Sequence, residues 1–187
     1  MKYIGTIITA IVILAILLSV STCSPSPGVN TVKLGTVTSD RIYREQTLAK
    51  NAPAPDFQLQ MPDGNIIFLS ELRGKVVLLN FWAINCPYCV KEMPFLQKAQ
   101  DEFSAENIVI LGINTGESET RVTKFVTHNK LTFPIILDPD IYASSLYKIR
   151  YLPTTYLIDK TGNIQITKIG AFQNADEIIA AIESLLQ

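Results

Sequence analysis

The chain has 187 residues, 48% of them hydrophobic, with 16 Lys and Arg set against 17 Asp and Glu. That length gives room for one domain with a full core plus appendages, and the even charge excludes the basic stripe of a nucleic-acid binder and the acidic tail of a docking arm. Three cysteines are too few for a disulfide-stapled secreted scaffold, so packing must supply the core, and a close Cys pair is there for its chemistry.

After Met1-Lys2, the stretch YIGTIITAIVILAILLSV (residues 3–20) carries no charge. Apolar residues cover every face of it, and about 18–20 of them suffice to cross a bilayer. Residues 1–23 are therefore expected to be an export signal or an N-terminal anchor. Val20-Ser21-Thr22-Cys23 resembles a bacterial lipoprotein processing site, with Thr22 standing where Gly or Ala is usual. Two readings of Cys23 stand open: lipidation after cleavage, or a chance cysteine near the end of an uncleaved anchor. Both tether the globular part on the far side of the membrane. Residues 24–51, rich in Ser, Pro, Thr and Gly, are expected to be a flexible or extended spacer.

From residue 52 the pattern becomes that of a folded domain, 52–187. Residues 57–60 and 66–69 flank Pro62-Asp63-Gly64-Asn65, which reads as a hairpin. A one-turn helix with a Gly stop follows at 70–74. The run VVLLNF (76–81) is a strand buried on both faces. A helix is expected over 87–103, a second buried strand over 108–113, a helix over 118–129, a short strand over 135–137 and a short helix over 141–147. Residues 154–158 and 164–169 form a closing hairpin, and Asn174 caps a last helix over 175–186. Strands alternating with helices imply an α/β fold with a mixed central sheet. Reactive groups in such sheets gather past the C-terminal ends of the parallel strands, which is where Cys86-Pro87-Tyr88-Cys89 lies.

A thiolate is the species that attacks a disulfide. A helix N-terminus offers unpaired N–H donors and partial positive charge, so a cysteine there ionises more easily. Pro87 suits the first turn because its missing N–H is not needed there. Cys89 falls nearly one turn on, close enough to resolve a mixed disulfide, which makes Cys86 the exposed nucleophile and Cys89 the shielded partner. Competing chemistries fit less well. A structural zinc site wants four ligands, and the domain holds no further Cys and one His, His128. Haem attachment wants His after the second Cys, where Val90 stands. A peroxide-reducing site wants Thr and Pro at the positions of Ala83 and Leu79. A purely structural disulfide over so small a loop contributes little.

These residues resemble the thioredoxin-like superfamily, in particular the membrane-tethered TlpA/ResA type of redoxin (AhpC/TSA-like) domain. The resemblance rests on Ala54-Pro55-Asp56-Phe57, Leu69-Ser70-Glu71-Leu72-Arg73-Gly74-Lys75, Asn80-Phe81-Trp82-Ala83 leading into the Cys pair, Glu92-Met93-Pro94, and Tyr151-Leu152-Pro153-Thr154-Thr155. It implies a thioredoxin-like fold with an N-terminal hairpin and an inserted helix–strand unit around residues 117–137. It implies that Pro153 is the cis-proline facing the dithiol and that Leu152 exposes its backbone to a bound peptide, beside Thr154. Glu92 matches the acidic residue that tunes the thiols, and Asn80 stands where cytoplasmic thioredoxins bury an Asp. Trp82 is expected beside the disulfide, and His128 is expected on the surface. The inner dipeptide Pro87-Tyr88 departs from the type, resembling instead the glutaredoxin tetrapeptide, and it bears on redox poise.

The resemblance thus implies an extracytoplasmic thiol:disulfide oxidoreductase that uses no cofactor and no metal. Its partners would be exported proteins carrying disulfides, apocytochrome c among them, and a membrane electron donor such as a CcdA/DsbD-like protein. Two alternatives share the same residues: a disulfide oxidase or isomerase at a more oxidising poise, and a non-catalytic, metallochaperone-like module.

Overall fold

The computed structural model describes residues 33–38, 48–103 and 107–186. The anchor expected at 1–23, Cys23 with it, and most of the expected spacer lie outside the described residues. Among the described residues no helix is long and apolar enough to cross a membrane.

The described residues form β1 (Gly35–Thr38), β2 (Gln58–Gln60), β3 (Ile66–Phe68), a 3₁₀ turn (Leu69–Leu72), β4 (Val76–Trp82), α1 (Pro87–Glu102), β5 (Ile108–Thr115), α2 (Glu119–His128), β6 (Ile135–Asp138), α3 (Tyr142–Leu146), β7 (Thr154–Ile158), β8 (Ile164–Ile169) and α4 (Ala175–Glu183). The strands make one mixed sheet in the order β3-β2-β1-β6-β5-β4-β7-β8. Neighbours among β1, β6, β5 and β4 run parallel, while β2–β3 and β7–β8 add antiparallel hairpins at the two edges. The expected mixed sheet, N-terminal hairpin and helix–strand insert (α2–β6) are all present.

β4 is buried along its whole length, and its side chains alternate between two cores. Val76, Leu78 and Trp82 face a core built with Cys89, Met93 and Leu96 of α1, Val122 and Val126 of α2, and Ile178 and Ile182 of α4. Val77, Leu79 and Phe81 face the other core, where Tyr147 and Tyr156 pack tilted or edge-on against Phe81 and Phe57 packs edge-on against Tyr147. Gly112 of β5 has no side chain because a Cβ would press on Ile135 Cδ1 at 2.7 Å and on Trp82 Nε1 at 3.2 Å. The indole nitrogen therefore sits close against the strand that neighbours its own.

The stretch expected to be a flexible or extended spacer contains β1, which pairs with β6 on one side and β2 on the other. Residues 35–38 are extended as composition suggested, but their N–H and C=O groups are used in the sheet. Gly35 is needed there because a Cβ would collide with the Gln60 backbone.

Candidate active site

β4 ends at Trp82, and the loop of residues 83–86 delivers Cys86 to the N-cap of α1. Its φ of −97° and ψ of 105° are extended, as an N-cap requires. Pro87 occupies the first helical position. Cys86 and Cys89 are joined as a disulfide, with Cα atoms 5.2 Å apart. Cys86 is half-buried, and Cys89 is buried in the core. The Cys89 N–H donates to Cys86 Sγ at 3.2 Å. That bond and the helix N-terminus both favour negative charge on Cys86 once the disulfide opens. Tyr88 stands 69% exposed beside the pair.

The chain before β7 closes the other side. The Leu152–Pro153 peptide is cis, and the Leu152 carbonyl oxygen lies 3.4 Å from Cys86 Sγ. Thr154 is buried and donates from Oγ1 to the Tyr151 carbonyl at 2.7 Å. The Pro153 carbonyl accepts from the Gly170 N–H at 2.9 Å. The turn is thus held from within and from the residue that follows β8.

Glu92 lies one turn beyond Cys89 on α1, and it is fully buried rather than an exposed helix carboxylate. Asn80 Nδ2 donates to Glu92 Oε1 at 2.7 Å and to Thr155 Oγ1 at 2.9 Å. The Phe172 N–H donates to Glu92 Oε2 at 3.0 Å. Burial raises the carboxyl pKa from 4.5 to about 7, against the lowering effect of those hydrogen bonds and of Lys168. A buried carboxyl poised near neutral pH, one turn from a buried thiol, can take and return a proton. Trp82 is fully buried in the same core as Cys89, tilted against Phe125 with centroids 5.3 Å apart. His128 is exposed at the end of α2.

A second group of residues around the dithiol was not anticipated. Gly116, with φ of 71°, ends β5 and turns the chain so that Glu117 reaches the loop before Cys86. Glu117 Oε2 accepts from the Ile84 N–H and from Asn114 Nδ2, each at 2.8 Å. Arg121 pairs with Glu117 Oε1 at 3.1 Å and donates to Asn85 Oδ1. A nearly buried carboxylate thereby ties the dithiol loop to the end of the adjacent parallel strand. The signal was available: Glu117 follows the C-terminal end of a buried parallel strand, where functional groups collect. Replacing Glu117 with Ala leaves the Ile84 N–H and the Asn114 amide unpaired, and is expected to lower stability by about 2 kcal/mol. Amide exchange at Ile84 should then quicken; unchanged exchange there would rule the brace out.

Comparison with known proteins agrees with this geometry. The AhpC/TSA family model matches residues 51–167. The thiol-disulfide oxidoreductase ResA of Halalkalibacterium halodurans is 38% identical over 138 residues, covering 73% of this chain and 78% of that protein. StoA from Bacillus subtilis superposes with a TM-score of 0.61 at 31% identity, over 70% of this chain and 97% of StoA. The exposed lipoprotein thioredoxin of Streptococcus pneumoniae superposes with a TM-score of 0.61 at 28% identity, over 70% of this chain and all of that one (100%).

Proposed function

This chain belongs to the AhpC/TSA family and is a thioredoxin-like thiol-disulfide oxidoreductase, and from that premise we propose that it is a tethered, extracytoplasmic reductase of disulfides in exported proteins. The observation that carries this reading is the half-buried Cys86 at the N-cap of α1, backed by buried Cys89 and facing the Leu152 carbonyl.

The reaction follows from the geometry. Reduced Cys86, as thiolate, attacks one sulfur of a substrate disulfide. That S–S bond breaks, a mixed disulfide to Cys86 forms, and the first substrate thiolate leaves and takes a proton. Cys89 then passes its proton to Glu92 and attacks Cys86 Sγ, releasing the second substrate sulfur. Two electrons have moved to the substrate, and the enzyme holds the Cys86–Cys89 disulfide. A membrane dithiol donor of the CcdA/DsbD kind returns the electrons. Leu152 and Pro153 present backbone to the bound peptide, Thr154 keeps that turn closed, and Trp82, Pro87 and Tyr88 shape the rim.

The tether is proposed from residues 1–23, apolar over 3–20, with residues 52–187 and β1 forming the catalytic domain. The pneumococcal neighbour is named an exposed lipoprotein, and Cys23 offers this chain the same mode of attachment. Apocytochrome c, whose own cysteine pair must be reduced before haem is joined, is the substrate class this type suggests. One observation favours a different direction: the N–H bond to Cys86 Sγ stabilises the thiolate, and a stabilised reduced form is a better oxidant.

The reduction potential of the purified full-length chain, equilibrated against glutathione, decides between them. A value near about −270 mV, where thioredoxin sits, is expected of a reductase. A value near about −120 mV, where DsbA sits, would replace it with a disulfide oxidase.

A further inference from the structure

Tyr151 and Thr154, which flank the Leu152–Pro153 turn, border a groove of about 110 Å³. Its walls are Lys148, Arg150 and Tyr151 from the segment after α3, Thr154 and Tyr156 of β7, and Ile169 of β8. Thr154 and Ile169 are cross-strand partners, so the groove floor belongs to the β7–β8 ladder. Tyr151 and Ile169 are unusually open for large apolar groups, at 67% and 64% exposed. Both cations are exposed, and neither has an ion-pair partner among the described residues. Among the described residues no carboxylate lines the groove. The groove starts one residue from Leu152, whose carbonyl touches Cys86 Sγ.

We propose that this groove is a specificity site that takes an acidic segment of the substrate protein, next to the cysteine being attacked. The proposal rests on the reductase reading and names the substrate class for the same site. A peptide whose cysteine sits over Cys86 passes the Leu152–Pro153 turn. Its next few residues then fall between Lys148 and Arg150, with an apolar side chain against Tyr151 and Ile169. Two positive charges with no ion-pair partner among the described residues draw carboxylates to this end of the site. An approaching basic segment meets repulsion there.

The test uses the full-length chain and three disulfide-looped peptides that differ only in a Glu-Glu, Gln-Gln or Lys-Lys pair beside the attacked cysteine. The readout is kcat/KM for each, at low and high salt. The Glu-Glu peptide is expected to be favoured over Gln-Gln about fivefold, the scale of two solvent-exposed ion pairs. Lys-Lys should fall below both, and salt should flatten the series. The double variant Lys148→Glu/Arg150→Glu should invert the order, and Lys148→Gln/Arg150→Gln should level it. Near-ultraviolet circular dichroism confirms that each variant is folded. If the wild type reduces all three peptides equally, or the reversed variant keeps the wild-type order, the groove does not select charge and the reductase reading is untouched. If none of the peptides is reduced, the reductase reading fails and the groove assignment falls with it.

Discussion

Cys86→Ser is expected to abolish disulfide reduction, by at least about a thousandfold, the scale of losing a covalent nucleophile. Cys89→Ser is expected to behave differently. It should attack once and then stop, because nothing remains to open the mixed disulfide. The asymmetry follows from position: Cys86 is half-buried at the N-cap, where the Cys89 N–H and the helix end favour its thiolate, while Cys89 is fully buried. Intact-protein mass spectrometry after mixing with a disulfide peptide reads the difference directly. The peptide adduct should accumulate on Cys89→Ser and be absent from Cys86→Ser. An adduct on Cys86→Ser instead would exchange the two roles.

Glu92→Gln has the second large effect. With its pKa near 7, the Glu92 carboxyl is half-ionised at neutral pH. Burial drives that rise; the Asn80 amide, the Phe172 N–H and Lys168 pull it down, and Glu177 pushes it up. As acceptor for the Cys89 proton it should impose an inflection near pH 7 on kcat/KM. The Gln variant should lose the inflection and about a hundredfold in rate, the lower end of general-base catalysis. Stability supplies an independent check. The folded pKa lies above the unfolded one, so folding is favoured most below about pH 4.5. Stability is then lost as pH rises through about 7, by about 3 kcal/mol in all. An amide at this position does not titrate. It can also be held by Asn80, whose Oδ1 is buried without a hydrogen-bond partner among the described residues and can turn to accept from it. Denaturant midpoints of the oxidised proteins should therefore shift in favour of the variant between pH 4.5 and 8. Parallel curves would show that Glu92 does not titrate in that window.

Much of this arrangement was legible in the sequence because it is local. The strand 76–81 announces itself by a run that is apolar but for Asn80, and the helix after Cys86 by Pro87 and the spacing of Met93, Leu96 and Ala99. The Asp63-Gly64 turn and the Asn174 cap are likewise set by neighbouring residues, and Asn174 Oδ1 does accept from the Glu177 N–H. What stayed hidden depends on distant partners. β1 is four residues of Gly, Thr and Val in a Ser- and Pro-rich stretch, and its reason to be a strand lies at residues 58–60 and 136–137. Helical spacing puts Glu92 near Cys89, but its burial depends on a backbone N–H eighty positions on, at Phe172. The Glu117 brace joins residues from the end of β5, two loops and α2, which no short window contains.

β1 also decides where the molecule can be cut. Among the described residues the hairpin of β2 and β3 meets the rest of the sheet only through β1, in the strand order β3-β2-β1-β6. A recombinant fragment begun at residue 52 would keep the whole dithiol site yet strip β1 out from between β2 and β6. Two raw strand edges would then face solvent, each offering its row of N–H and C=O groups to another copy. Such a fragment would self-associate, and a preparation meant to isolate the redox chemistry would report on clumping instead. Expression boundaries for this protein belong ahead of Lys33.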